Sequence, residues 1–227
     1  MKILALDSST KYLSICISVN GKCASVFHKN LGIRHSDLLI EKIDYVFKKA
    51  KLDIGDIDVL AIGLGPGSFT GLRIGLAAMK AMSTVKNIPI IGIPTLDIIS
   101  NNFLNRSEFY LPAIDARKER VYTCIYRQVN GRMVKKSGYM LLKINDLLKR
   151  IKGKNALIFG DGVKIYKKEL EHLPKNIRID YTDKWIPNSK ILAKIAFEKA
   201  RKKMFSNVDK LVPFYMHPKE CNVKGFS

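Results

Sequence analysis

Two stretches of the chain carry residue types suited to holding an anion. The first is Gly63-Leu64-Gly65-Pro66-Gly67-Ser68-Phe69-Thr70-Gly71. It follows the apolar run Val59-Leu60-Ala61-Ile62 and precedes a helical pattern from Leu72 to Val85. A glycine inside regular structure costs about 0.5–1 kcal/mol relative to alanine, so this density marks a tight loop between a strand and a helix. Such a loop lets backbone N–H groups approach an anion at a helix N-terminus. Gly65, Gly67, Ser68 and Gly71 are therefore candidates for phosphate contact, and Ser68 and Thr70 for helix caps. The run lacks the Gly-Lys-Ser/Thr ending of a Walker A loop, and Ser68 stands where Gly-x-Gly-x-x-Gly needs its third glycine. A close-packed turn with no ligand fits the same spacing. The second stretch is Asp7-Ser8-Ser9-Thr10, which closes the first apolar run. Asp7 with Ser8 and Thr10 could form a strand-end phosphate loop whose carboxylate holds water or magnesium. Alternatively, Asp7 caps its own turn. Asp115 occupies the matching spot in the second half of the chain, where pairing with Arg117 across the turn is the simpler role.

Other chemistry is thinly represented. His28, His35, His172 and His217 are isolated, with no pair at helical i, i+4 spacing. Cys16, Cys23, Cys124 and Cys221 include no Cys-x-x-Cys and read as reduced thiols. No Gly-x-Ser-x-Gly nucleophile motif occurs.

The elements that must position these residues alternate as in an α/β protein. Lys2–Leu6 reads as a buried strand, Leu13–Val19 and Lys22–His28 as a hairpin turning at Asn20-Gly21, and His35–Ala50 as a helix. In that helix Leu39, Ile43, Val46, Phe47 and Ala50 share one apolar face, and Ser36 is a candidate N-cap. Strands at Val59–Leu64 and Ile88–Ile93 flank the helix Gly71–Val85, and another helix starts near Thr95. The order then repeats. Leu111–Asp115 echoes Ile3–Asp7, Val121–Val129 the second strand, Asn130-Gly131 the hairpin turn, and Ala156–Gly162 the segment Leu60–Gly65. A final helix is expected near Asn188–Lys203. The chain thus reads as β-β-β-α-β-α-β twice, the second copy less complete, each copy with an aspartate ending its first strand. The expected lobes are 1–103 and 104–227, with the C-terminal helix free to pack back on the first.

At 227 residues and 47% hydrophobic content, the chain can bury a sizeable core. No apolar run is long enough to span a membrane, and Asp7 arrives too early for a signal-peptide core, so a soluble cytoplasmic protein is expected. The net charge of +20 favours anionic partners such as nucleic acid, although a lysine-rich composition alone produces the same surface.

Several stretches match one family pattern. They are Leu4-Ala5-Leu6-Asp7-Ser8-Ser9-Thr10, Arg34-His35-Ser36, Gly65 to Gly75, Ile91-Gly92-Ile93-Pro94-Thr95-Leu96, Asp115-Ala116-Arg117 with Val121-Tyr122, and Val212-Pro213-Phe214-Tyr215-Met216. The chain resembles the TsaB (YeaZ) family of bacterial threonylcarbamoyladenosine tRNA-modification proteins, well over residues 1–122 and more weakly beyond. The resemblance implies a duplicated ribonuclease-H-like fold of the actin, hexokinase and heat-shock-chaperone type. It also implies a noncatalytic scaffold that activates TsaD in the complex that installs threonylcarbamoyl on the adenosine beside the anticodon of tRNA. The implied partners are TsaD, the ATPase TsaE, tRNA through the complex, and a second copy when the chain is alone. No intrinsic cofactor is implied; ATP or ADP with magnesium would enter in the complex. The metal-binding His-x-x-x-His of TsaD would fall at Thr95 and Ile99. The helices carrying Leu39, Ile43, Val46 and Phe47, and Arg73, Gly75 and Ala78, would meet TsaD or the second copy. His35 matches a family position and is expected to pack at its helix start. The alternatives are a self-sufficient nucleotide hydrolase or metallopeptidase, and a plain nucleotide-binding module. An isoleucine cannot ligate a metal and a threonine is no substitute for an imidazole. Elemental analysis of the purified chain is therefore expected to find no stoichiometric zinc or iron; a full equivalent lost in His35→Ala would reverse this reading.

Overall fold

The first strands show why these residues make a three-layer sandwich. The computed structural model describes residues 1–32, 35–103 and 109–215; the side chains of residues 35 and 36 lie outside that description, as do Arg34, His217 and Cys221. In β1 (Lys2–Asp7) and β4 (Val59–Gly63), successive side chains point to opposite faces, and both faces are apolar. Leu4, Leu6, Leu60 and Ile62 join one core; Ile3, Ala5, Val59 and Ala61 join another. The first core is closed by α1 (His35–Ala50) and α2 (Phe69–Lys86), through Leu39, Ile43, Val46, Leu76 and Met79.

Three more strands complete this sheet: β2 (Tyr12–Val19), β3 (Lys22–Asn30) and β5 (Ile90–Ile93). Their order is β3-β2-β1-β4-β5, with β1, β4 and β5 parallel and β2 and β3 antiparallel. The short α3 (Thr95–Ser100) follows β5. By contacts the first unit comprises Met1–Phe103 with Asp183–Phe214, and the described residues of the second are 109–182 with Tyr215.

The second unit is built on β6 (Phe109–Pro112), then β7 (Ile114–Asp115), β8 (Arg120–Thr123), β9 (Tyr126–Val129), β10 (Arg132–Lys135) and β11 (Met140–Lys143). Next come α4 (Ile144–Arg150), β12 (Ala156–Phe159), the single turn α5 (Gly162–Ile165) and β13 (Ile177–Asp180). Its main sheet runs β10-β9-β6-β12-β13, again with three parallel strands and two antiparallel ones. Order and direction repeat the first sheet, so the fold is a duplicated ribonuclease-H-like one. The copies diverge at one point. The chain leaves the main sheet at Ala113, and β7, β8 and β11 form a separate three-stranded sheet. Asp115 therefore does not end the strand equivalent to β1, as its spacing suggested; it lies on β7. Likewise Val121–Val129 is not one strand but β8 and β9, interrupted at Cys124-Ile125.

The last helix, α6 (Ser189–Arg201), is capped by the Asn188 side chain and covers the second face of the first sheet with Leu192, Ala193, Ala196 and Ala200. Its start is fixed by a small buried network. Ser189 N–H donates to Ser14 Oγ at 2.9 Å, the Ser14 and Ser189 hydroxyls bond at 2.9 Å, and His28 Nδ1 meets Ser14 Oγ at 2.9 Å. The His28 ring also stacks on Tyr12, with centroids 5.3 Å apart. Burial, followed by the Lys190 charge, holds the His28 imidazole below its ordinary pKa. A depressed folded value means the unfolded chain binds the proton more readily. The stability this group contributes is complete above about pH 6.5 and is lost as pH falls through the folded value. Melting followed between about pH 7 and 5.5 should show a falling midpoint, and His28→Asn should flatten that fall; an unchanged slope would remove His28 from the linkage.

Candidate functional site

The glycine-rich loop and the Asp7–Thr10 turn meet at the carboxyl ends of β1 and β4, where open α/β sheets place their ligands. In this chain they bind each other. Asp7, Ser8 and Ser9 are buried. Asp7 Oδ1 accepts from the Ser9 N–H at 2.9 Å and the Ser9 hydroxyl at 2.7 Å, and Asp7 Oδ2 accepts from the Thr95 hydroxyl at 3.2 Å. Thr95 ties the loop in turn: its Oγ1 accepts from Gly65 N–H at 3.0 Å and its own N–H donates to Gly65 O at 2.7 Å. Ser8 Oγ donates to Gly71 O at 2.8 Å, and Ser68 N–H donates to Ser9 O at 2.7 Å.

The glycines permit this closure by what they lack. A Cβ on Gly63, Gly67, Gly71 or Gly75 would come within 3.0 Å of Asp7 Oδ2, Ser9 O, Ser8 O or Ser8 Oγ, closer than real Cβ contacts fall. Gly65 adds a φ of +93°, a region open to glycine. Ser68 is the cap of α2, its hydroxyl accepting from Gly71 N–H at 3.2 Å, while Thr70 lies in the first turn. Of the candidates for phosphate contact, Asp7, Ser8, Gly65 and Gly71 are thus engaged by groups of the protein itself, and what the absent Cβ atoms admit at Gly67 and Gly71 is a backbone carbonyl oxygen. Thr10 is half-buried, its Oγ1 accepting from Tyr12 N–H at 3.1 Å, and Gly67 and Ser68 are exposed.

In the second unit Asp115 anchors a different turn. Its Oδ1 accepts from Arg117 N–H at 3.0 Å and from the Tyr166 hydroxyl at 2.8 Å, and its own N–H donates to Asp161 Oδ1 at 2.8 Å. The link to Arg117 is thus through backbone, not guanidinium. Arg117, Lys118 and Glu119 follow with φ of 61°, 50° and 59°. Burial raises the Asp161 carboxyl above its usual range, and burial with the Asp115 hydrogen bond pushes Tyr166 up to about 12.

Most of the helix positions expected to meet a partner face the unit's own core. Leu39, Ile43 and Val46 are buried in the unit's own core, with Phe47 half-buried against it. Gly75 faces Ser8 and Leu6. That stripe is apolar because it covers the sheet. The outward faces instead carry Ile40, 64% exposed, Tyr45, 44%, Phe69, 55%, and Val85, 76%. Arg73 is exposed with its guanidinium 3.7 Å from the Phe69 ring centroid, and Ala78 is half-buried.

Among the described residues no group of three or more His, Cys, Asp or Glu is placed to hold a metal ion. Thr95 and Ile99 are both buried. Ser9 and Thr95, which complete the Asp7 site, were not marked by spacing. The Asp-x-Ser spacing of a turn is a signal that could have found Ser9; Thr95 is 88 residues from Asp7 and only the fold joins them.

A model of the family "TsaD: tRNA N6-adenosine threonylcarbamoyltransferase" matches residues 29–210. The chain belongs to that family. Within the wider TsaD relationship it is similar to proteins named tRNA threonylcarbamoyladenosine biosynthesis protein TsaB. That of Buchnera aphidicola subsp. Baizongia pistaciae is 28% identical over 223 residues, covering 95% of this chain and 97% of the relative. That of Bacillus subtilis is 27% identical, covering 99% and 97%. That of Escherichia coli is 33% identical over 58% of each chain. Among solved structures, YeaZ from Pseudomonas aeruginosa superposes with a TM-score of 0.80 at 21% identity, covering 94% of this chain and 100% of that one.

The TsaD-family loop described above makes two variants informative. Gly75→Ala forces Ser8 and Leu6 aside and is expected to cost about 1–3 kcal/mol, lowering the melting midpoint by about 2–4 °C per kcal/mol. Thr95→Val keeps the shape but removes a donor from a buried carboxylate, for a loss of about 1–3 kcal/mol. Thermal melts unchanged in both would show that the Asp7 contacts do not hold the loop.

Proposed function

We propose that the chain is a noncatalytic scaffold that binds and activates TsaD in tRNA threonylcarbamoyladenosine biosynthesis, in the cytoplasm, with TsaE joining the assembly. ATP or ADP with magnesium enters with those partners. The observation that carries this reading is the fate of residues 95 and 99. Where the resemblance puts a metal-binding histidine pair, Thr95 is a buried hydrogen-bond bridge between Asp7 and Gly65, and Ile99 is buried hydrocarbon. Asp7, the other candidate for chemistry, has no exposed surface. A group closed to substrate does not act as base or magnesium ligand, which disfavours a self-sufficient hydrolase or peptidase. No helix among the described residues is long and apolar enough to cross a membrane.

Partner binding is then the task left to the surface, and the outward apolar residues of α1 and α2 supply it. A standard interface buries about 800 Å² per partner, within reach of two helices of 16 and 18 residues. Reconstituted tRNA modification should fall to background when this chain alone is omitted and return when it is restored. Ile40→Asp with Val85→Asp should abolish co-purification with TsaD while the melting midpoint moves by no more than about 2 °C, since exposed substitutions stay within about 0.5 kcal/mol. Full modification without the chain would end the proposal.

A further inference from the structure

One end of the main sheet of the second unit gathers several cations. Phe109 opens β6, opposite Arg127 of β9 and Ala156 of β12, and Ala156 stands opposite Ile177 of β13. Lys152 and Lys154 lead into β12, and Lys175 leads into β13. The same end projects the β9–β10 hairpin, where Arg132 pairs with Val129. Arg127, Arg132, Lys152, Lys154 and Lys175 are all exposed, and none forms an ion pair among the described residues. Asp161, two residues past β12, and Asp180, the last residue of β13, lie toward the other end of the sheet.

Two of these cations are also held against one ring. The Arg127 guanidinium lies 5.4 Å and the Lys154 ammonium 5.2 Å from the centroid of the same half-buried Phe109 ring. The loop carrying Lys154 is fixed by Phe109 N–H donating to Asn155 O at 2.9 Å and by Asn176 Nδ2 donating to Lys154 O at 2.6 Å. Two like charges drawn to one ring, with unpaired neighbours within a Debye length, repel one another and raise the energy of the folded chain. A polyanion laid across them removes that repulsion and releases its own counterions. Cations spaced across several strands, two of them held on one ring, suit the phosphates of a folded nucleic acid better than a fluid surface.

We propose that this strand-start end of the second unit, centred on Arg127, Lys152 and Lys154, binds an RNA phosphate backbone. The choice of tRNA as probe rests on the function proposed above; the surface itself does not. The test measures binding of the full chain to an unmodified tRNA transcript across a salt series. Arg127→Ala, Lys152→Ala and Lys154→Ala together should weaken binding about 10- to 100-fold at low salt and flatten the log–log salt slope by about 2–3. Lys22→Ala, Lys29→Ala and Lys202→Ala, which remove the same charge from the first unit, should leave the slope within about 1 of the parent. Melting curves check that both variants fold. Equal losses in the two variants would reduce the effect to overall charge and overturn the proposal, as would an unchanged slope in the first. Anionic phosphatidylserine vesicles that compete for the same three residues more strongly than tRNA would assign the surface to membranes instead. If the slope stays unchanged while omission of the chain still abolishes tRNA modification, only the surface assignment falls.

Discussion

A buried carboxylate with no room around it organises the first unit. Asp7 ends β1 inside the protein, and its oxygens are met by neutral donors from its own turn and from Thr95. A polar group in that position is tolerable only if hydrogen bonds replace its water. Those bonds require β4, α2 and α3 to approach closely, and the approach requires glycine at 63, 67, 71 and 75. The most distinctive stretch of the chain is therefore explained by packing. In a loop with the composition of an anion site, Gly65 and Gly71 bond to their own neighbours while Gly67 and Ser68 stay at the surface.

The two sheets show how far a duplicated plan can drift. Both keep the order of two antiparallel strands followed by three parallel ones. That order follows from short hairpins, which make antiparallel neighbours, and from helical crossovers, which make parallel ones. The second copy departs where β6 stops at Pro112 and the chain turns off into a small separate sheet. Asp115 goes with it and serves a turn held by Tyr166 and Asp161 instead of a strand end. Matched residues in the two halves thus perform different local work.

With its candidate chemical groups closed, the molecule offers its surface. The first unit presents apolar residues on the outer faces of two helices; the second presents unpaired cations at one end of a sheet. The first kind of surface suits another folded protein, the second an anionic polymer.

The sequence alone determined a great deal about this protein. Short unbroken apolar runs at Ile3–Leu6 and Leu60–Ile62, alternation in Leu13–Val19, helical spacing in Leu39–Phe47, the Asn-Gly turns and the repeated order of elements specified the α/β class and its duplication, because each depends on neighbours near in the chain. Tertiary structure decided which way those elements faced and what they touched. Leu39, Ile43 and Val46 form an apolar stripe whether it meets a sheet or a partner, and only the position of the sheet showed that it meets the sheet. Asp7 and Thr95 are separated by 88 residues, so no local spacing could reveal that the hydroxyl is spent on the carboxylate. Arg127, Phe109 and Lys154 come together for the same reason. Side-chain chemistry can be read from the chain, but burial and long-range pairing are properties of the folded arrangement in space.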